Sequence, residues 1–259
     1  MSRTRFPSSL VIMRISLPIV SARRALAAVL LVAAPACRSS ADGRGATPAA
    51  EARPTNASTT ASGETAKAGS MPADSNALRA AADSGRIMGA PGAKVWMIIA
   101  SDFQCPYCKM WHDQTYEALR KDYVDAGKIR MAYMNYPLDI HVQAQPTAEA
   151  AMCASAQGKF WEYHTALFQS QDSWAKAGDQ SAKFDSLAGA VGLDVARFRT
   201  CTRSHVMRAL VEADQYRMQK SGVASTPTFI LVPSNVKVEG AQPLPIFRQA
   251  LDSALKTAR

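Results

Sequence analysis

Lys94-Val95-Trp96-Met97-Ile98-Ile99-Ala100 runs directly into Ser101-Asp102-Phe103-Gln104-Cys105-Pro106-Tyr107-Cys108. The first seven residues form a short, continuous apolar run with β-branched members, the pattern of a buried central strand. Ser101 to Gln104 reads as the turn after it. A helix is expected to begin at Cys105 or Pro106, since proline suits a first helical turn. It should run to about Asp125, with Gly127 as C-cap candidate. A cysteine at such a start meets unpaired backbone N–H groups and the positive end of the helix dipole. Both favour the thiolate, against an ordinary thiol pKa of ~8.5. Cys108 lies one turn inward, within disulfide reach and more buried. That asymmetry makes Cys105 the nucleophile and Cys108 the resolving thiol. Pro106 and Tyr107 tune the pair without adding positive charge.

Zinc is the competing use of a C-x-x-C, with His112 as a third potential ligand. A structural zinc site needs four closed ligands, and no fourth residue stands at zinc-like spacing. The expectation is therefore no metal, and no cofactor beyond the redox-active Cys105–Cys108 disulfide. His112 is expected to be a neutral, exposed or partly buried helix residue.

Working outward, the 259 residues have 47% apolar and 20% charged content, ordinary for a globular protein. The net charge is +9, but Arg3, Arg5, Arg14, Arg23 and Arg24 all precede Cys37, where no acid lies. Beyond that stretch 25 basic residues face 21 acidic ones, a net +4. This mild excess lacks the clustered basic face that nucleic-acid binding requires.

The basic stretch is followed by an apolar run from Ala25 to Ala36, too short to span a bilayer, which takes ~20 residues. Basic region, apolar run and small residues make residues 1–37 an expected export signal, with Met13 an alternative start. Cys37 directly after the small residues resembles a lipoprotein acylation site, which would anchor the chain to a membrane by lipid. Residues 38–76 hold almost no large apolar side chain apart from Met71, and are expected to be a disordered tether. The folded domain then occupies 77–259, on the periplasmic or cell-envelope side.

Within it, Leu78 to Arg86 reads as a helix and Ile129 to Tyr136 as a strand. Helical patterns dominate about 142–222, as Pro146–Gln157, Lys159–Gln169, Gln180–Val191 and one long Val195–Lys220. Thr228 to Val232, a Pro-Ser-Asn turn and Val236 to Glu239 form a hairpin. Pro245 to Lys256 is a closing amphipathic helix. Setting Cys37 aside leaves four cysteines. Besides Cys105 and Cys108, the simplest pairing joins Cys153 to Cys201 as a structural disulfide. Two buried thiols or a second redox pair are the alternatives.

Ser101 to Cys108 resembles the active-site stretch of the DsbA-like thioredoxin family. Cys153-Ala154, then Gln157 to His164 (Gln-Gly-Lys-Phe-Trp-Glu-Tyr-His) and Leu167-Phe168, are similar to that family's helical insertion. So are Gly192-Leu193-Asp194, Phe198 and Cys201. Gly222-Val223 and Ser225-Thr226-Pro227-Thr228-Phe229 resemble its cis-proline loop. These matches fall in the family's order over roughly residues 84–257. The resemblance implies an α/β, thioredoxin-like fold with an inserted all-helical subdomain. It also implies a cis Thr226–Pro227 bond facing the cysteines, with Thr226 backbone pairing with substrate, and it supports the Cys153–Cys201 bond.

The implied function is an exported thiol–disulfide oxidoreductase that oxidises cysteine pairs in Cys-containing exported polypeptides. A membrane redox partner of the quinone-linked type would regenerate it. The alternatives are a reductase or isomerase kept reduced by a membrane partner, and a non-catalytic peptide-binding lipoprotein. Residues 38–76 are too poor in apolar side chains to build a dimerisation domain, so a monomer is expected. One departure stands out. Members of the family it resembles usually carry Glu or Asp six residues before the first active-site cysteine, and here Ile99 takes that place. A buried carboxylate there can shuttle the proton of the resolving thiol. Its loss predicts slower resolution by Cys108, with the redox poise set elsewhere.

Overall fold

The computed structural model describes residues 74–258. The expected export signal, Met13, Cys37 and the tether up to residue 73 lie outside them. Helix α1, Ser75–Gly85, starts two residues inside the stretch assigned to the tether and three before the expected helix. The Asp74 side chain accepts hydrogen bonds from the Asn76 and Ala77 N–H groups, which fixes that start.

The sheet has five strands: β1 Ile87–Met88, β2 Val95–Ser101, β3 Ile129–Asn135, β4 Thr228–Val232 and β5 Val236–Glu239. Their spatial order is β1-β3-β2-β4-β5. β2 and β3 are parallel, and the remaining pairs antiparallel. The central position of β2 explains its continuous apolar run. Met97 and Ile99 are buried under one layer of helices, and Ala100 under the other side. Ser101 belongs to this strand, paired with Asn135, rather than to the turn. β3 ends at Asn135, one residue before Tyr136. The two-residue β1 is too short to show a period of its own.

After β2 the chain enters α2, Pro106–Trp111. The expected single helix to Asp125 is instead interrupted twice. A π segment spans His112–Tyr116, α3 covers Glu117–Leu119, and a second π segment spans Arg120–Val124. The wide π turn lets the His112 ring stack on Tyr116, with centroids 5.3 Å apart, while Trp111 packs on Phe229 at 4.7 Å. Gly127 follows with φ +70°, as a helix-terminating glycine does.

All of α4 Ala144–Ser155, α5 Phe160–Gln169, α6 Gln171–Trp174, α7 Ser181–Ala190, α8 Val195–Arg203 and α9 Arg208–Lys220 lie between β3 and β4 in sequence. This is the helical insertion into a thioredoxin-like fold. The expected Val195–Lys220 helix is two helices, broken where His205 takes φ +50°. Buried Glu149 of α4 draws the break together. It meets His205 Nδ1 at 2.8 Å and accepts from Arg208 Nε at 3.0 Å. Cys153 of α4 and Cys201 of α8 are joined in a disulfide. Helix α10, Leu244–Thr257, closes the domain, with Phe247 edge-on to Phe229. Among the described residues no helix is long and apolar enough to cross a membrane.

Candidate active site

Cys105 is the N-cap residue of α2, and Pro106 occupies its first turn. The turn before it is built by Asp102. The Asp102 carbonyl accepts the Cys105 N–H at 3.1 Å, and its carboxylate accepts the Gln104 N–H at 2.7 Å. The backbone direction here follows from these two bonds. Pro106 and Tyr107 are exposed, Tyr107 by 62%, and they form the outer face of the turn.

Both cysteines are thiols, and they are not equivalent. Cys105 is 3% exposed, and its sulfur lies 3.6 Å from the Thr226 carbonyl oxygen. The Thr226–Pro227 peptide is cis. A cis bond turns the backbone sharply, and here Thr226 is brought over the cysteine. A cis bond at Val232–Pro233 shapes the β4–β5 hairpin as well.

The Cys105 thiol pKa is lowered to about 6. The hydrogen bond from the Cys108 thiol is the main cause. Burial opposes it, while Thr226 and the backbone N–H groups of Cys108 and Tyr107 assist. Cys108 moves the other way. It has no exposed surface, and burial, followed by the neighbouring Cys105, pushes its thiol well above the usual range. One sulfur is held as a ready thiolate and the other as a protonated thiol.

The Thr226 hydroxyl is buried and bonds to no other group. It is therefore free to donate to the Cys105 thiolate. Replacing it by the isosteric valine should raise the Cys105 pKa by about one pH unit, the order of one hydrogen bond to a charged group. Ultraviolet titration of the thiolate reads this directly. An unchanged midpoint would remove Thr226 from the account.

Behind the cysteines lies an aromatic layer. Phe103 stacks on Tyr133 at 5.0 Å and packs against Phe168 at 5.2 Å. His164 is fully buried within this layer, and burial drives its pKa well down, so it is neutral. His112, expected to be at most partly buried, is 7% exposed. Its ring contacts Tyr116, Phe168 and His164, and burial lowers its pKa despite Asp113. Among the described residues no three His, Cys, Asp or Glu side chains gather as a metal site.

Ile99, 1% exposed, pairs with Tyr133 on β3 and Phe229 on β4. Register partners share a sheet face, so Ile99 forms an apolar floor under α2.

Three glutamines that sequence patterns did not single out tie the turn to the helical insertion. Gln171 Nε2 donates to the carbonyls of Phe103 and Cys105, at 2.7 and 3.2 Å. Gln104 accepts from the Gln143 N–H at 2.6 Å and donates to the Ala175 carbonyl. Gln143 donates to the carbonyls of Lys176 and Gly178. The sole local signal was Gln104 within the cysteine stretch. The others act from 39 to 68 residues away.

A family model described as thioredoxin matches residues 81–253. Among curated relatives, the sodium/proton antiporter NhaA 3 of Salinispora tropica is 32% identical over 178 residues. That alignment covers 68% of this chain but 26% of the antiporter, so the chain spans about a quarter of that protein's length. A probable disulfide bond formation protein D of Bacillus anthracis is 27% identical, over 65% of this chain and 77% of its own. The crystal structure of Wolbachia pipientis alpha-DsbA1 superposes with a TM-score of 0.60 at 23% identity. It covers 67% of this chain and 92% of that one, and shows the shared fold.

Proposed function

The chain belongs to the thioredoxin family, in the DsbA-like form with a helical insertion, and from that premise we propose that it is a thiol–disulfide oxidoreductase acting through Cys105 and Cys108. The carrying observation is the asymmetry of the two sulfurs. Cys105 is a stabilised thiolate at a helix start beneath a cis-proline loop, and Cys108 is a buried thiol behind it. The disulfide relative from Bacillus anthracis supports the same reading.

The chemistry runs in two exchanges. A substrate thiolate attacks Cys105 Sγ of the oxidised pair, the Cys105–Cys108 bond breaks, and Cys108 leaves and takes up a proton. A second substrate thiolate then attacks the mixed disulfide and releases Cys105 as thiolate. The substrate loses two electrons and the cysteine pair gains them. The extended substrate runs along the backbone at Thr226.

The direction we favour is oxidation of cysteine pairs in exported polypeptides. Stabilising the Cys105 thiolate stabilises the reduced form, which makes the disulfide form a stronger oxidant. The sign is that of a lowered acid pKa. The stabilisation is complete above the unfolded thiol's ordinary value and fades as pH falls through about 6. A membrane partner of the quinone-linked type would regenerate the disulfide. The export signal and lipidation at Cys37 would place the domain, as a monomer, on the cell-envelope side.

Thiol trapping in the cell tests the direction. The oxidase reading expects Cys105 and Cys108 mostly as disulfide, with loss of substrate oxidation in Cys105→Ser. A pair found mostly reduced would turn the assignment to a reductase or isomerase.

A further inference from the structure

Exchange obliges Cys108 to gain or lose a proton each time its bond to Cys105 opens or closes. The sulfur has no contact with solvent, and Ile99 offers it only hydrocarbon. One residue of the preceding turn does reach it, through its backbone. The Asp102 N–H lies 3.5 Å from Cys108 Sγ, and the Asp102 carboxylate is wholly buried in the same turn. One carboxylate oxygen accepts the Gln104 N–H. The other accepts the Leu138 N–H at 3.0 Å and faces His141 Nδ1 at 2.7 Å. The His141 side chain is 16% exposed. The pair thus extends from the turn that holds the resolving sulfur to water. Capping the turn uses one oxygen, and holding the Leu138 N–H uses the other. The histidine at the solvent end of this buried carboxylate exceeds both needs, and burying the carboxylate carries a desolvation cost.

We propose that the Asp102–His141 pair accepts and returns the proton of the Cys108 thiol, in place of the carboxylate that position 99 lacks. This rests on the disulfide-exchange reading. In the resolving step Cys108 S–H gives up its proton to the Asp102–His141 pair. The Cys108 thiolate attacks Cys105 Sγ of the mixed disulfide, the Cys105–Cys108 bond forms, and the bond from Cys105 to the partner sulfur breaks. The electron pair leaves with the partner as thiolate. In the opposite direction the pair returns the proton to Cys108. The titratable groups facing Asp102 are Cys105 and Cys108 from the α2 turn, Tyr133 from β3 and His141 from the loop after β3. Burial keeps the Tyr133 hydroxyl protonated, so it is no base.

The test is a stopped-flow reaction of the reduced full chain with an aromatic disulfide that releases one coloured thiolate per exchange. The first release reports attack by Cys105, and the second reports resolution by Cys108. Asp102→Asn and His141→Gln should slow the second release at least about tenfold near neutral pH, the low end for a positioned proton acceptor. Its rate should then climb about tenfold per pH unit, as hydroxide takes over. The first release serves as internal reference, and circular dichroism confirms folding. Where Asp102→Asn does not fold, His141→Gln carries the test, because it leaves the Asp102 cap intact. Folded variants with the wild-type second phase and pH profile would overturn the relay. A wild-type chain that releases no second thiolate would instead overturn the exchange reading, and the relay with it.

Discussion

Replacing Cys108 by serine should convert the chain into a trap that stays covalently joined through Cys105 to any disulfide it attacks. The Cys105 thiolate opens the target disulfide and forms a mixed disulfide. With no thiol at position 108, nothing releases it. Non-reducing electrophoresis after incubation with a disulfide-bonded peptide should show a stable adduct, absent from Cys105→Ser. Serine also preserves a hydroxyl donor beside Cys105, replacing the hydrogen bond that contributes most to its low pKa. Alanine does not, so Cys108→Ala should form the adduct with a higher pH midpoint.

The rate of trapping is diagnostic at acid pH rather than at neutrality. At pH 7 a thiol of pKa about 6 is roughly nine-tenths thiolate, against about 3% for an ordinary cysteine. Intrinsic nucleophilicity falls with pKa, with a Brønsted slope of about 0.4–0.5, and cancels most of that gain. The two effects leave only about a twofold advantage at pH 7, but about 20-fold at pH 5 by the same arithmetic. An adduct rate that tracks an ordinary thiol down to pH 5 would contradict the electrostatics assigned to Cys105.

The features that were legible in the sequence share one property, which is that their cause is local. The roles of Cys105 and Cys108 follow from a strand, a turn and a proline-led helix start within fifteen residues. Helical patterns dominate about 142–222 in the sequence, and the helices of the insertion run from Ala144 to Lys220. What escaped depends on partners remote in sequence. Asp102 reads locally as a turn cap, and it is one. Its second oxygen is committed to Leu138 and His141, 36 and 39 residues on, and no pattern in the turn announces that. The break between α8 and α9 depends on Glu149, 56 residues before His205. A single uninterrupted helix was the sound local expectation, and a tertiary ion pair overrode it. The π turn at His112–Tyr116 has a similar origin, since its rings pack against Phe168 and Trp161 of α5 and Trp111 beside it packs on Phe229 of the sheet. Gln143 and Gln171 look like ordinary polar residues between helical segments until the fold sets their amides against the active-site turn.

The Cys153–Cys201 bond carries the largest expected effect on stability. It links α4, which is buried along most of its length, to α8, across 48 residues. Both sulfurs are buried, at 1% and 6% exposure. Releasing a loop of that size returns conformational entropy to the unfolded chain, and the chain-entropy model sets the loss at about 4 kcal/mol. For a domain of this size that corresponds to a fall in Tm of roughly 8–16 °C. The Cys153→Ala/Cys201→Ala double variant should show that drop in thermal and urea unfolding. It should keep its Cys105 titration midpoint at room temperature. The groups that set that midpoint lie on the α2 turn and at Thr226, and neither is bonded to α4 or α8. A double variant unfolding within about 1 kcal/mol of the parent would show that α4 and α8 are held by packing alone. A shifted Cys105 midpoint would show that the insertion acts on the thiolate through the glutamine contacts at Gln143 and Gln171, coupling the two parts of the domain more tightly than the fold requires.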